Sequence, residues 1–129
     1  MDAATRAAVR QRAGQCCEYC QRRQTDSPLI PLHIEHVIAR KHGGHDGLDN
    51  LALACAECNL HKGSNLSGID PESRQLVSLF HPRRDRWAEH FAWDGLSIVG
   101  LTAIGRTTIR VLELNSPARL RVRLATRDV

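Results

Sequence analysis

Two short runs, Cys17-Glu18-Tyr19-Cys20 and Cys55-Ala56-Glu57-Cys58, share the spacing Cys-x-x-Cys and decide how the rest of the chain is read. Two residues between cysteines make a tight knuckle from which both thiolates reach one ion at about 2.3 Å. A matched pair of knuckles completes a tetrahedral four-cysteine set, the closed donor arrangement of structural Zn2+. Free thiol pairs, a redox-active Cys-x-x-Cys and iron in an electron carrier are the competing readings of the same residues. Cys16 is the spare; pairing it with Cys20 spoils the match between the knuckles. The 34 residues from 21 to 54 exceed the roughly 15–20 of a simple zinc ribbon, so the insert carries something of its own.

Composition sets the bounds around this core. With 129 residues, 42% apolar and 25% charged, the chain is one folded domain, or one with an extension, and not a disordered tract. No apolar run approaches the ~20 residues of a membrane helix; the longest, residues 96–101, is strand-sized. Residues 1–6 hold no basic segment leading into an apolar stretch. The expectation is a soluble, cytoplasmic protein with no membrane partner, where clustered cysteines serve metals before disulfides. Residues 1–75 carry nine Lys and Arg against nine acids, and residues 76–129 nine Arg against five acids. The whole net charge of +4 therefore sits in the second part, either as a solvated Arg-rich surface or as a face for a phosphate backbone.

Local pattern gives the order of elements. Ala- and Arg-rich residues 3–13 read as a short helix stopped at Gly14. Leu32-His33-Ile34-Glu35-His36-Val37-Ile38 reads as a strand, Gly43, Gly44, Asp46, Gly47, Asp49 and Asn50 as a polar loop, and Leu51-Ala52-Leu53-Ala54 as a second strand. A short helix is expected over 59–62, a turn at 69–71, a helix over 84–91 from the Trp87/Phe91 spacing, and a strand over 96–101; residues 107–115 fit a strand by the alternation of Ile109 and Val111 but read better as a helix stopped by Ser116-Pro117.

The insert and the second knuckle together resemble the HNH nuclease family. The matching pieces, in order, are Cys17-x-x-Cys20, Ile34-Glu35-His36-Val37-Ile38, Gly43-Gly44, Asp49-Asn50-Leu51 and Cys55-x-x-Cys58-Asn59-x-x-Lys62-Gly63. The resemblance implies an α+β fold: a small zinc-stabilised ββα-metal module over residues 1–75, with a mixed α/β, basic and aromatic extension over 76–129 packing on it. It also implies a metal-dependent endonuclease that hydrolyses DNA phosphodiesters with a single catalytic ion. His36 is then the general base, since neutral imidazole takes a proton from water near pH 7. Glu35 and Asn59 are the oxygen ligands of a catalytic Mg2+ or Mn2+. By the same analogy Asn50 ties the loop to the strand and orients His36 through its backbone. Two positions depart from the usual pattern: Glu35 stands where Asp is usual, and Asn59 where His is frequent. The competing function is a zinc-dependent module that binds nucleic acid without cutting it.

DNA is the expected partner, with RNA as the second candidate. The expected phosphate contacts are Lys62, His61, Arg83, Arg84 and Arg86. Phe80, Trp87, Phe91 and Trp93 hold four of the five aromatic rings and read as apolar core, with base stacking beside the arginines as the competing role.

Overall fold

A computed structural model describes residues 1–127, which divide into two compact units. The first comprises residues 1–64 with 81–85, the second residues 65–80 and 86 onward.

In the first unit, helix α1 (Ala3–Arg12) starts at Asp2, whose carboxylate accepts from Thr5 N at 2.7 Å. Its buried contact is Val9, and it packs on the two strands that follow. Basic residues of its last turns are tied to backbone: Arg10 donates to Leu32 O at 2.9 Å, and Arg12 to Leu48 O at 2.8 Å and Leu51 O at 2.6 Å. Gly14 and Gln15 then turn the chain at φ +63° and +58° into the first knuckle.

Strands β1 (His33–His36) and β2 (Leu51–Ala54) pair antiparallel, with His33 opposite Ala54 and His36 opposite Leu51. β2 is buried on both faces, which is why Leu-Ala-Leu-Ala shows no polar alternation. β1 does alternate: His33 is exposed and Glu35 buried, while Ile34 and His36 are half-buried. Helix α2 (Ala56–Lys62) follows β2 at once, with Cys55 as its N-cap. It starts three residues before the expected 59–62, because the second knuckle is itself the helix's first turn.

The second unit contains two hairpins and two longer helices. β3 (Ser67–Ile69) pairs with β4 (Leu76–Ser78) across the turn expected at 69–71. One turn of helix, α3 (Trp87–His90), leads straight into β5 (Phe91–Asp94), which pairs with β6 (Ser97–Gly100). The helix expected over 84–91 is thus cut to four residues. Phe91 pairs with Gly100 in the ladder, and the period-two spacing of Phe91 and Trp93 takes over from the period-four spacing of Trp87 and Phe91. The two readings coexist, since the Trp87 and Phe91 rings still lie 5.1 Å apart. Phe80 and Phe91 meet edge-on at 5.3 Å, giving this unit its aromatic core.

Helix α4 (Ala103–Leu112) begins earlier than the expected 107, at an N-cap made by Thr102, and ends where Glu113 takes φ +51°. Ser116-Pro117 opens a helix, α5 (Pro117–Thr126), that was not expected: Ser116 caps it and Pro117 sits at its first position. A proline that halts one helix is equally suited to begin the next. Among the described residues no helix is long and apolar enough to cross a membrane.

Candidate metal centre and active site

The four sulfurs of Cys17, Cys20, Cys55 and Cys58 lie within 4.8 Å of one another, and all four residues are buried. Cys20 Sγ and Cys55 Sγ are 3.7 Å apart. That is far beyond a disulfide bond and close to the roughly 3.8 Å edge of a tetrahedron with 2.3 Å metal–sulfur bonds. Each knuckle repeats one contact: Cys20 N points at Cys17 Sγ and Cys58 N at Cys55 Sγ, both at 3.5 Å. Burial pushes the Cys17 and Cys58 thiols well above their ordinary values. Hydrogen bonding from Cys17 lowers Cys55 to about 7. Buried thiols such as Cys17 and Cys58 become thiolates beside a cation, which the converging sulfurs are placed to hold. The donor set fits Zn2+, and Cys16 is outside it.

The first knuckle is fastened to β2 through Glu18. Its N–H donates to Leu53 O and its carboxylate accepts from Leu53 N, both at 2.8 Å. Arg22, just past the knuckle, pairs with Glu57 in the first turn of α2 at 3.0 Å. The two halves of the cage are therefore linked by backbone and by charge.

At the other end of β1 the loop is pinned by Asn50. Buried at 4% exposure, it accepts from Ile38 N at 2.9 Å and donates to Ile38 O at 3.0 Å and His45 O at 2.9 Å. Gly43 takes φ +87°, a conformation that favours glycine. Gly44 is glycine for another reason: a Cβ there would stand 1.7 Å from Ile38 O and 2.9 Å from Asn50 Nδ2. The loop so pressed against β1 brings Asp46 to His36, with Nε2 to Oδ1 at 2.7 Å. Arg40 holds the same carboxylate at 3.0 and 3.2 Å. These two partners, His36 first, hold the Asp46 carboxyl below its ordinary value.

Glu35 faces inward from the residue before. Its carboxylate accepts from the Tyr19 hydroxyl and lies 3.5 Å from Lys62 Nζ, which donates to Val37 O at 2.8 Å. Burial raises the Glu35 carboxyl, opposed by the Lys62 charge and the Tyr19 hydroxyl. An open cleft of about 520 Å³ is lined by Ile34, Glu35, His36, Ala39, Arg40, Asn59, Leu60 and Gly63. Along β1 the buried Glu35 side chain turns inward onto Tyr19 and Lys62, while half-buried His36, the strand's last residue, reaches Asp46. Glu35, His36 and Asn59 are thus among the residues lining one cleft, whose lining includes none of the cage cysteines.

Residues 17–65 match the HNH endonuclease family. No curated protein and no solved structure matches the chain. The HNH segment opens at the first cage cysteine and includes the cleft, and it supports a ββα-metal reading of β1, β2 and α2.

Burial corrects two of the expected phosphate contacts. Lys62 is 1% exposed and its ammonium is spent on Val37 O and Glu35, so it presents no charge to a phosphate. The Arg83 side chain is 12% exposed and ion-paired with Glu18. Arg84 and Arg86 are exposed, and His61 is half-buried on α2. Asp46, Arg40 and Tyr19 were missed. The loop's turn-forming composition masked Asp46, and no local pattern marks Arg40 or Tyr19.

Proposed function

We propose that this protein is a metal-dependent HNH endonuclease that hydrolyses phosphodiester bonds in DNA, with structural Zn2+ in the four-cysteine cage. The observation that carries the reading is the common cleft of Glu35, His36 and Asn59. An imidazole, a carboxylate and an amide among the residues lining one cleft are the group types that metal-assisted hydrolysis uses. The cleft also has room for a hydrated cation beside a phosphodiester group.

Glu35 and Asn59 fit a hard divalent cation as oxygen ligands. A bound Mg2+ or Mn2+ supplies charge neutralisation at the phosphoryl oxygens and the leaving 3′-oxygen. His36 takes the proton of the attacking water. Asp46 accepts from His36 Nε2–H, which leaves the lone pair on Nδ1, so Nδ1 is the atom that receives the proton. The products carry 5′-phosphate and 3′-hydroxyl ends. Arg40 at the cleft, with exposed Arg84 and half-buried His61 of the same unit, supplies backbone contacts, and exposed Arg86 is a separate candidate in the second unit.

Supercoiled-plasmid nicking with a divalent-metal series tests the proposal. His36→Ala is expected to keep its zinc and fold while abolishing Mg2+-dependent nicking, and nicking at the wild-type rate would overturn the base assignment. A binding module without cleavage is the second reading. It is favoured by the ion pair that ties up the Glu35 carboxylate, and binding with no cleavage under Mg2+, Mn2+ or Ni2+ would establish it.

A further inference from the structure

Buried ionisable groups outside the sulfur cage gather at one point of the first unit. Tyr19 is 0% exposed, Lys62 1% and Glu35 5%, and the three touch one another through Glu35. A buried carboxylate–ammonium pair is a weak source of stability, because the desolvation of two ions offsets their attraction and an apolar replacement often does as well. Stability alone therefore does not account for these residues in so small a unit. Their geometry does account for something else, the fixed placement of one carboxylate beside an open cleft.

Resting on the nuclease reading above, we infer that Tyr19 and Lys62 are positioning residues that hold the Glu35 carboxylate in place for a divalent cation in the cleft. Glu35 has one more rotatable bond than an aspartate, and a free glutamate would spend most of its time in rotamers that miss an ion held by Asn59. The Tyr19 hydroxyl fixes Oε1. Lys62 ion-pairs with Oε2 at 3.5 Å, and a carboxylate oxygen that accepts from one donor keeps a second lone pair for a ligand. The same ammonium donates to Val37 O at 2.8 Å and approaches His36 O at 3.4 Å, fixing the backbone where β1 ends. Tyr19 is itself immobilised, lying between Cys17 and Cys20 in the knuckle. Lys62 closes α2, which begins at the other knuckle. Both props of Glu35 are thus built on the elements that form the cage. The arrangement is that of outer partners orienting a metal ligand.

The test uses the full chain with its zinc bound. Mn2+ binding is measured from the loss of the free-ion electron paramagnetic resonance signal, and Mg2+ dependence from plasmid nicking. Tyr19→Phe deletes one hydroxyl. It should keep its zinc and a cooperative melt, with a melting temperature only a few degrees lower, weaken Mn2+ about 10-fold or more, and raise the Mg2+ midpoint of nicking in parallel. In a Glu35→Gln background the same change should add nothing. Lys62→Arg, which keeps the compensating charge and a donor for Val37 O but shifts both, should weaken Mn2+ in the same direction and decides the matter if Tyr19→Phe does not fold. Wild-type Mn2+ affinity in a folded variant overturns the inference while leaving the nuclease reading intact. Loss of zinc by both variants makes the cluster a structural element and also overturns it. A wild-type protein that binds no Mn2+ overturns the nuclease reading, and the inference with it.

Discussion

His36 Nε2 and Asp46 Oδ1 are 2.7 Å apart across ten residues of loop, with Arg40 on the same carboxylate. The contact fixes which ring nitrogen carries the proton, and it exists because Asn50 and Gly44 press the loop against the end of β1. Asp46→Ala removes an exposed side chain, so fold and zinc content should persist. Nicking should fall about 10-fold to 100-fold through loss of imidazole orientation. Equal rates for mutant and wild type at matched DNA occupancy would exclude this role for Asp46.

Gly44 is the tightest point of that loop. A methyl group 1.7 Å from Ile38 O has no flexible neighbour to displace, since the obstacle is backbone. Gly44→Ala should lower unfolding free energy by about 2 kcal/mol or more and reduce nicking at temperatures where the variant is still folded. Gly14→Ala meets no atom within 4 Å but holds φ +63°, so its cost should be the smaller one of backbone strain alone, about 1 kcal/mol. Urea titrations of the two variants separate these costs.

What could be read from the sequence was whatever local spacing encodes. Cys17, Cys20, Cys55 and Cys58 form the cage because a two-residue gap leaves a knuckle little choice, and β2 is legible as an unbroken apolar run. Lys62 and Arg83 were misjudged because charge read along a chain carries no information about depth. One is buried by the helix that follows the cage, the other by its pairing with Glu18. The helix at Trp87–His90 was overextended because the i,i+4 aromatic spacing also fits a single turn that runs into a strand. Helix α5 was hidden behind Pro117, which serves equally as a stop and as a first residue.

Lys62 and Arg40 should separate by phenotype. Lys62→Ala removes one partner of a buried ion pair and leaves Glu35 uncompensated, at a cost of about 3–5 kcal/mol. Its defect should appear in thermal melts. Arg40, 68% exposed at the cleft, should show the opposite pattern in Arg40→Ala: an unchanged melt, weaker DNA binding, and a salt-dependence slope reduced by about one. Fluorescence anisotropy with a labelled duplex at several salt concentrations measures it. A DNA-binding defect in a fully folded Lys62→Ala would reverse these assignments.

Acid should loosen the second unit through Asp70. This fully buried carboxylate is held far below its usual range, first by Arg106, whose Nε and Nη2 lie at 3.0 and 2.9 Å, and then by the Ser73 and Glu72 amides. A depressed folded value stabilises the protein at pH above the unfolded value of about 3.9, and the gain drains away as pH falls through the folded value. Melting temperature should therefore drop between about pH 4 and pH 2. Asp70→Asn should melt lower at pH 7 and show a shallower acid decline. An acid profile identical to that of wild type would remove Asp70 as its source.

Removal of the cage metal should undo the first unit. Its core is small, with Val9, Tyr19, Leu51 and Leu53 among the fully buried side chains, and four buried thiols add no charge-compensated contact of their own without a cation. Both knuckles also carry the cleft: Glu18 and Tyr19 grip β2 and Glu35 from one side, and α2 grows from Cys55 on the other. Purified protein should be colourless and hold one zinc per chain by elemental analysis, which separates it from an iron carrier. Treatment with a strong chelator, or Cys58→Ser, should expose residues 1–64 to protease and abolish nicking even at saturating Mg2+. Restoring Zn2+ before Mg2+ should recover activity, whereas Mg2+ alone should not. Nicking that survives complete zinc loss would mean that the cage and the cleft are built independently.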